Sequence, residues 1–349
     1  MDGASIDEKS RSEAGRRRFA RNISGFTLAT LASRILGYFR DAAIAYLFGG
    51  GGLTDAYYAA FRIANFLRRT LGEGALNASF VPVLTQEHLK SKKDAREFFS
   101  SLWTGLSLVT LGVIGLGIWQ ARPIVLAMTY GFANDPEKLA LTVTLTRLLF
   151  PHFFFVTAAA LEQGALYVTR RFFLPAMAPT MFSISILAYI GMLTAGWLPL
   201  HDARSQVMGL AVAATVGSAL QWLIQMPMLH KEGLAPTVRS PLAHPGVWQF
   251  LALMGPSLVS LATDQVDALV DTVFASFLPE GSITAIYNSS RLMQLPLALF
   301  GVSTATVALA HLSEHAGRRQ MDRFRRTLAD SLGLTAFVLR RWVGRQNPF

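Results

Sequence analysis

The chain has 349 residues, 52% hydrophobic and only 15% charged, where a soluble globular chain carries about a quarter charged residues. That balance excludes a soluble fold, and the absence of cysteine excludes a disulfide framework or a thiolate metal site. The formal charge of +10 is not taken as a nucleic-acid footprint, because in a membrane protein what matters first is how the basic residues divide between loops.

Residues 1–22 form a polar, basic tail, too charged for a signal-peptide start and followed by no small-residue cleavage site. Apolar segments long enough to cross hydrocarbon follow near 23–48, 53–85, 100–127, 141–168, 175–198, 207–229, 247–278 and 284–311, and a ninth begins near 327. GGGG at 49–52 follows no strand and reads as a tight turn between spans. Pro151, Pro175, Pro179, Pro256 and Pro296 fall in or at the ends of spans as kinks. The connections alternate in charge. The tail and the second, fourth, sixth and eighth connections carry clusters such as Lys90, Lys92 and Lys93, Arg170 and Arg171, and Arg318 and Arg319. The odd connections hold only Lys138 and Arg204. This places the amino terminus in the cytoplasm. The expected fold is an all-α polytopic membrane helix bundle.

Residues 41–63 align with 271–292, so that Asp41 meets Asp271, Tyr58 meets Tyr287 and Arg62 meets Arg291. Chance similarity between two apolar helices competes with a true repeat, but spans one and two also match spans seven and eight in orientation. A repeat implies a two-lobed, exporter-like fold with an axis along the membrane normal. The expected organisation is a cytosolic tail (1–22), a complete first six-helix lobe (23–230), a cytoplasmic interlobe loop (231–246) and an incomplete second lobe (247–349) with two full spans and part of a third. Arg340, Arg341 and Arg345 stand where that third span should stay apolar. On a count of about 20 residues per span, roughly a hundred or more residues of the second lobe would then be absent.

An ionisable group at mid-bilayer costs about 2.5–3.5 kcal/mol on insertion scales, so it faces a cavity or a partner. The first span holds Arg34, Arg40 and Asp41. The second holds Asp55, Tyr58, Arg62, Asn65, Arg69 and Glu73 at spacings of 3 and 4, one polar stripe along an apolar helix, with Arg68 off to the side. Arg291 adds a positive charge from the second lobe. Guanidinium groups suit the paired oxygens of phosphate, pyrophosphate or carboxylate. The competing reading is structural: pairing with Asp41, Asp55 and Glu73, or snorkelling of Arg68 and Arg69 to the headgroups. Asp264, Asp267 and Asp271 form a carboxylate strip suited to sodium or a proton, or else to pairing with those arginines. Glu162, beside Gln163 and Gly164, reads as a hydrogen-bonding group. The seven histidines lack metal spacing, and no serine, histidine and carboxylate set suggests catalysis, so neither an enzyme nor a bound cofactor is expected.

SRILGYFRDAAIAYLFG, TDAYYAAFRIANFLRRTLGEGALNASFVPVL, RRFFLPAMAP and RLMQLPLALFGVSTATVALAHLS resemble the MurJ (MviN-type) family of lipid II flippases, within a superfamily of multidrug, lipid-linked oligosaccharide and polysaccharide exporters. The similarity runs from about residue 22 to 335. It implies alternating-access transport of an undecaprenyl-pyrophosphate-linked peptidoglycan precursor across the bacterial inner membrane, driven by membrane potential or by a sodium or proton gradient. The other outcomes are export of another lipid-linked glycan or a drug, and an inactive fragment or scaffold for cell-wall synthesis enzymes. Carried over by motif, Arg34, Arg40, Asp41, Asp55, Arg68, Arg69, Glu73 and Arg291 line the cavity or serve transport, and Asp271, with Asp267, matches a cation position. Ala64 stands where the family usually has proline, and Tyr167 and Ser183 stand where asparagine is expected.

Overall fold

The computed structural model describes residues 28–68 and 75–296, with scattered helical positions between 321 and 333; at 67, 75, 77–78, 257–269 and 294–296 only the backbone is described. Every regular element among the described residues is helical. In chain order they are α1 (28–48), α2 (Gly52–Arg68), α3 (Ala75–Lys90), α4 (Lys92–Trp119), α5 (Ala121–Met128), α6 (Pro136–Val168), α7 (Phe173–Thr194), α8 (Ala203–Leu223), α9 (Met226–Glu232), α10 (Pro245–Ala275) and α11 (Ser282–Pro296). A 3-10 turn, Tyr130–Asn134, lies between α5 and α6.

Among the described residues, four stretches are long and apolar enough to span a membrane: Lys92–Trp119, Pro136–Val168, Phe173–Thr194 and Ala203–Glu232. Their outward faces carry large apolar side chains, among them Leu108, Val109, Leu116, Ile184, Val212 and Val216. Exposed leucine and valine at this density suit lipid as the surrounding solvent. α6 is the centre of the bundle, packing against α2, α3, α4 and α8. It starts at a side-chain cap, Asp135 accepting from the Lys138 amide, with Pro136 at a position where no N–H is needed. It runs through Pro151 without ending, and stops where Arg170 takes a left-handed backbone (φ 61).

Hydropathy suggested one long second span over 53–85; the described part of it is helical as α2 up to Arg68 and as α3 from Ala75, and residues 69–74 fall outside the described residues. The expected third span (100–127) divides into α4 and α5 at Gln120, a break that apolar content cannot register because both helices are apolar. The end of the eighth expected span and all of the ninth fall outside the contiguous described residues.

By compactness the chain divides into Met1–Thr284 and Ala285–Phe349. Within the first unit, an apolar core joins α3, α4, α6, α9 and α10 through Leu76, Phe80, Phe98, Phe99, Leu166 and Phe250. The connection from α9 to α10 lies along the first turns of α4. Thr237 N donates to Ser100 Oγ (3.1 Å), Arg239 N donates to Thr104 Oγ1 (3.2 Å), and Arg239 pairs with Glu97 at 3.0 Å. Gly105 lets Pro241 come close: a Cβ there would lie 3.1 Å from the proline ring.

Candidate functional site: an acidic seal and an arginine set

Asp55 sits in the first turn of α2 and is only 2% exposed. Its Oδ1 accepts from Thr284 N (2.9 Å) and Thr284 Oγ1 (2.7 Å), and its Oδ2 accepts from Gly281 N (2.7 Å). Lys138 Nζ lies 3.4 Å from Oδ2 and 4.4 Å from the centre of the Phe132 ring. The amides of the first turn of a helix have no partner within it, and two of the donors on Asp55 are such amides at the start of α11. Asp55 therefore caps α11 from another part of the chain, while standing in the first turn of its own helix. Two helix N-termini, each equivalent to about half a positive charge, converge on one carboxylate.

The alignment of 41–63 with 271–292 carries a sequence offset of 229 after its gap. It pairs Gly52 with Gly281 and Asp55 with Thr284. Of these pairs, Asp55 and Thr284 are in direct contact. The approach is tight and glycine permits it. Gly281 has φ +89, and a Cβ there would lie 3.3 Å from the Gly50 carbonyl oxygen. A third turn closes the same end of the bundle: Gly131 N donates to Ser276 Oγ (3.0 Å), and a Cβ on Gly131 would overlap the Ser276 carbonyl and lie 2.8 Å from Phe277 N. The GGGG segment is the turn that the sequence suggested, and its tightness serves this contact.

The arginines divide into distinct environments. Arg40 is 6% exposed and already engaged. Its Nε and Nη2 donate to Asp41 Oδ1 (2.9 and 2.6 Å), its Nη1 donates to Ser183 Oγ (3.4 Å), and the guanidinium stands 5.1 Å from the Phe182 ring centre. The structural alternative, pairing with Asp41, is what this conformation displays for Arg40. Arg34 is exposed on α1. Arg62 is half-buried and donates to Thr272 Oγ1 of α10 (2.9 Å). Arg68 donates to Asn65 Oδ1 (2.6 Å), and Asn65 in turn donates to the Phe61 carbonyl (3.0 Å). In the second unit, Arg291 is exposed, its Nε and Nη2 on the Tyr287 hydroxyl (3.3 and 3.1 Å) and its guanidinium 5.4 Å from that ring's centre. Arg69 and Glu73 lie outside the described residues, as does the side chain of Asp267. Asp271 is exposed on α10.

Beside the arginines lies an aromatic cluster that sequence reasoning missed. Phe61 stacks on Tyr57 and Phe182 (centroids 5.9 and 6.0 Å), and His152 lies 5.9 Å from Phe61 and 5.5 Å from Phe182. Ser218 donates its hydroxyl to Ala214 O (2.8 Å), so His152 Nδ1 donates to Ser218 Oγ. His152 was passed over because it has no metal-type spacing; its role here is to bridge α2, α6, α7 and α8.

The family model "Lipid II flippase MurJ" matches residues 44–340. The chain belongs to the MurJ family. It is 33% identical over 321 residues to the probable lipid II flippase MurJ of Buchnera aphidicola subsp. Baizongia pistaciae, covering 91% of this chain and 61% of that protein. It is 37% identical over 320 residues to the corresponding Bdellovibrio bacteriovorus protein (90% and 60%) and 35% over 297 residues to the Burkholderia cenocepacia lipid II flippase MurJ (84% and 56%). A solved lipid II flippase MurJ in an inward closed conformation superposes with a TM-score of 0.73 at 29% identity, over 90% of this chain and 62% of that one. This chain thus spans about 60% of the length of the relatives that it matches. Family membership and the apolar helices make it a multi-pass protein of the bacterial inner membrane, of a transporter family.

Proposed function

We propose that the chain acts in moving an undecaprenyl-pyrophosphate-linked peptidoglycan precursor, lipid II, from the cytoplasmic to the outer leaflet by alternating access. The observation that carries this reading is the Asp55 seal in a member of a flippase family. The alternation of basic loops puts the amino terminus in the cytoplasm, and with it the α2–α11 junction at the outer face. A bundle closed at that end and carrying arginines on α1 and α2 is suited to receive an anionic headgroup from the cytoplasmic side. Arg34, Arg62, Arg68 and Arg291 are the candidate pyrophosphate ligands, joined by Arg69 and, when Asp41 releases it, by Arg40. Asp55 acts as the closing element rather than as a substrate ligand. Coupling to membrane potential or to a sodium or proton gradient belongs to the same proposal, with Asp271 and Asp267 as candidate cation residues. The bound species are lipid II and bilayer lipids, and cell-wall synthesis enzymes are candidate partners.

Complementation tests the reading. In a host depleted of its own lipid II flippase, this chain should restore growth and cell shape, while Arg34→Ala and Arg291→Ala should insert normally and fail to restore them. No rescue by the unmutated chain at full membrane levels, or full rescue by both variants, would overturn the proposal.

A further inference from the structure

α6 carries an acid that neither the seal nor the arginine set employs. Glu162 lies near the C-terminal end of that helix and is 0% exposed, and neither of its carboxyl oxygens has a hydrogen-bond partner. Facing it is the corner between α8 and α9, where Trp222 and Gln225 stand three residues apart on one side of the chain. Gln225 is 1% exposed. Its Nε2 donates to Ala159 O and Gln221 O (3.2 Å each), which consumes both amide protons and leaves the buried Oε1 without a donor. Ala159 is three residues before Glu162 and so on the same face of α6, which puts the Gln225 amide one turn from the carboxyl. The Trp222 indole N–H is also buried without a full hydrogen bond, yet it is close enough to act on the Glu162 carboxyl.

Counting donors and acceptors decides what this cluster needs. An ionised carboxylate only accepts, an amide oxygen only accepts, and an indole N–H only donates. Ionised, the cluster would offer three acceptor oxygens to one donor, around an unpaired charge in the interior of an apolar bundle. One proton changes the balance. The Glu162 O–H then serves Gln225 Oε1, and Trp222 N–H serves the other carboxyl oxygen. Every buried polar group in the cluster gains a partner.

We propose that Glu162 is a proton-binding site whose bound proton joins it to Gln225 and ties α6 to the α8–α9 corner. The site is sensitive to conformation, since moving the corner away from α6 removes the acceptor and admits water, and the proton is then free to leave. It stands independently of the transport reading: a chain that moves no lipid would still hold this proton.

Infrared difference spectroscopy on the full chain in lipid nanodiscs, between neutral and alkaline pH, tests it. A protonated-carboxyl C=O band should be present at neutral pH and lost in Glu162→Gln. Gln225→Leu, which keeps the acid, should shift that band upward by removing its hydrogen-bond acceptor. The unmutated chain should lose unfolding temperature on going to alkaline pH, whereas Glu162→Gln should keep the neutral-pH value, because its amide supplies the donor that the proton otherwise provides, and should not show that alkaline loss. Absence of the band, its survival in Glu162→Gln, an unshifted band in Gln225→Leu, or a carboxylate band that answers to sodium instead of pH would each overturn the proposal.

Discussion

The two ends of the bundle are closed by different physics. At one, Asp55 gathers backbone amides from Gly281 and Thr284, a hydroxyl and Lys138, and glycines at 50–52, 131 and 281 bring three turns into main-chain contact. At the other, Phe80 packs against Phe98 and Phe99 with ring centres 5.9 and 6.0 Å apart, within a core continuous from α3 to α10. Hydrogen bonds onto one carboxylate can be exchanged for water group by group. An aromatic core has no comparable substitute in water, since separating it exposes its whole apolar area. The contrast teaches which end is built to part: the seal holds through few, replaceable contacts, and the core keeps the remaining helices as one body.

The chain contains no cysteine, so a single introduced thiol reports the state of the seal. Leu53→Cys beside the α2–α11 junction, labelled by a membrane-impermeant maleimide, gives the readout. The largest effect is expected from Asp55→Ala, which strips several donors of their acceptor and leaves Lys138 unpaired. Removing one partner of a buried pair costs about 3–5 kcal/mol, so labelling should accelerate on the order of 10²-fold or more. Phe98→Ala should lower stability by a similar ~3–5 kcal/mol, read as a fall in unfolding temperature, and leave the labelling rate at Leu53→Cys unchanged. Equal labelling by both variants would erase the distinction between the ends. Next comes Gly131→Ala, whose methyl displaces the Ser276 carbonyl. Overpacking of about 1–3 kcal/mol should speed labelling roughly tenfold without lowering the unfolding temperature as Phe98→Ala does. The smallest effect belongs to Asp202, the exposed cap of α8, whose carboxyl is held below its ordinary range first by the Ser205 backbone N–H. A carboxyl with a lowered folded value supports the helix above its unfolded value of 3.8 and loses that support as pH falls through the folded one. Between pH 6 and 8, where that support is fully present, Asp202→Asn should therefore lower the unfolding temperature slightly, a difference that closes as pH falls through the folded value, and should leave the labelling rate unchanged.

Much of this was legible in the letters. Hydropathy marked the four stretches that are long, apolar helices among the described residues, because lipid imposes length and composition on any helix that crosses it. The polar stripe on α2 singled out Asp55 and Arg62 from their spacing. What the letters withheld were the partners. Asp55 was expected among substrate ligands or paired with an arginine, whereas two of its four donors are backbone amides, which no residue type announces. Arg40 was read with Asp41 in sequence, but its contacts with Ser183 and Phe182 arise only when α7 folds against α1. The break between α4 and α5 was invisible to hydropathy for the reason already given. Gly131 looked like any turn glycine, and only the neighbouring Ser276 carbonyl shows why a side chain has no room there.

The lacing of residues 235–241 to α4 has a mechanical consequence. A dozen free residues could extend about 40 Å and would absorb displacement like a slack rope. Fastened through Ser100, Thr104, Glu97 and the gap left by Gly105, the same residues act as a strut instead. Any tilt of α4 is then passed to the first turn of α10, so the compliance for large motion has to come from the ends of the helices rather than from the strand of chain that joins α9 to α10.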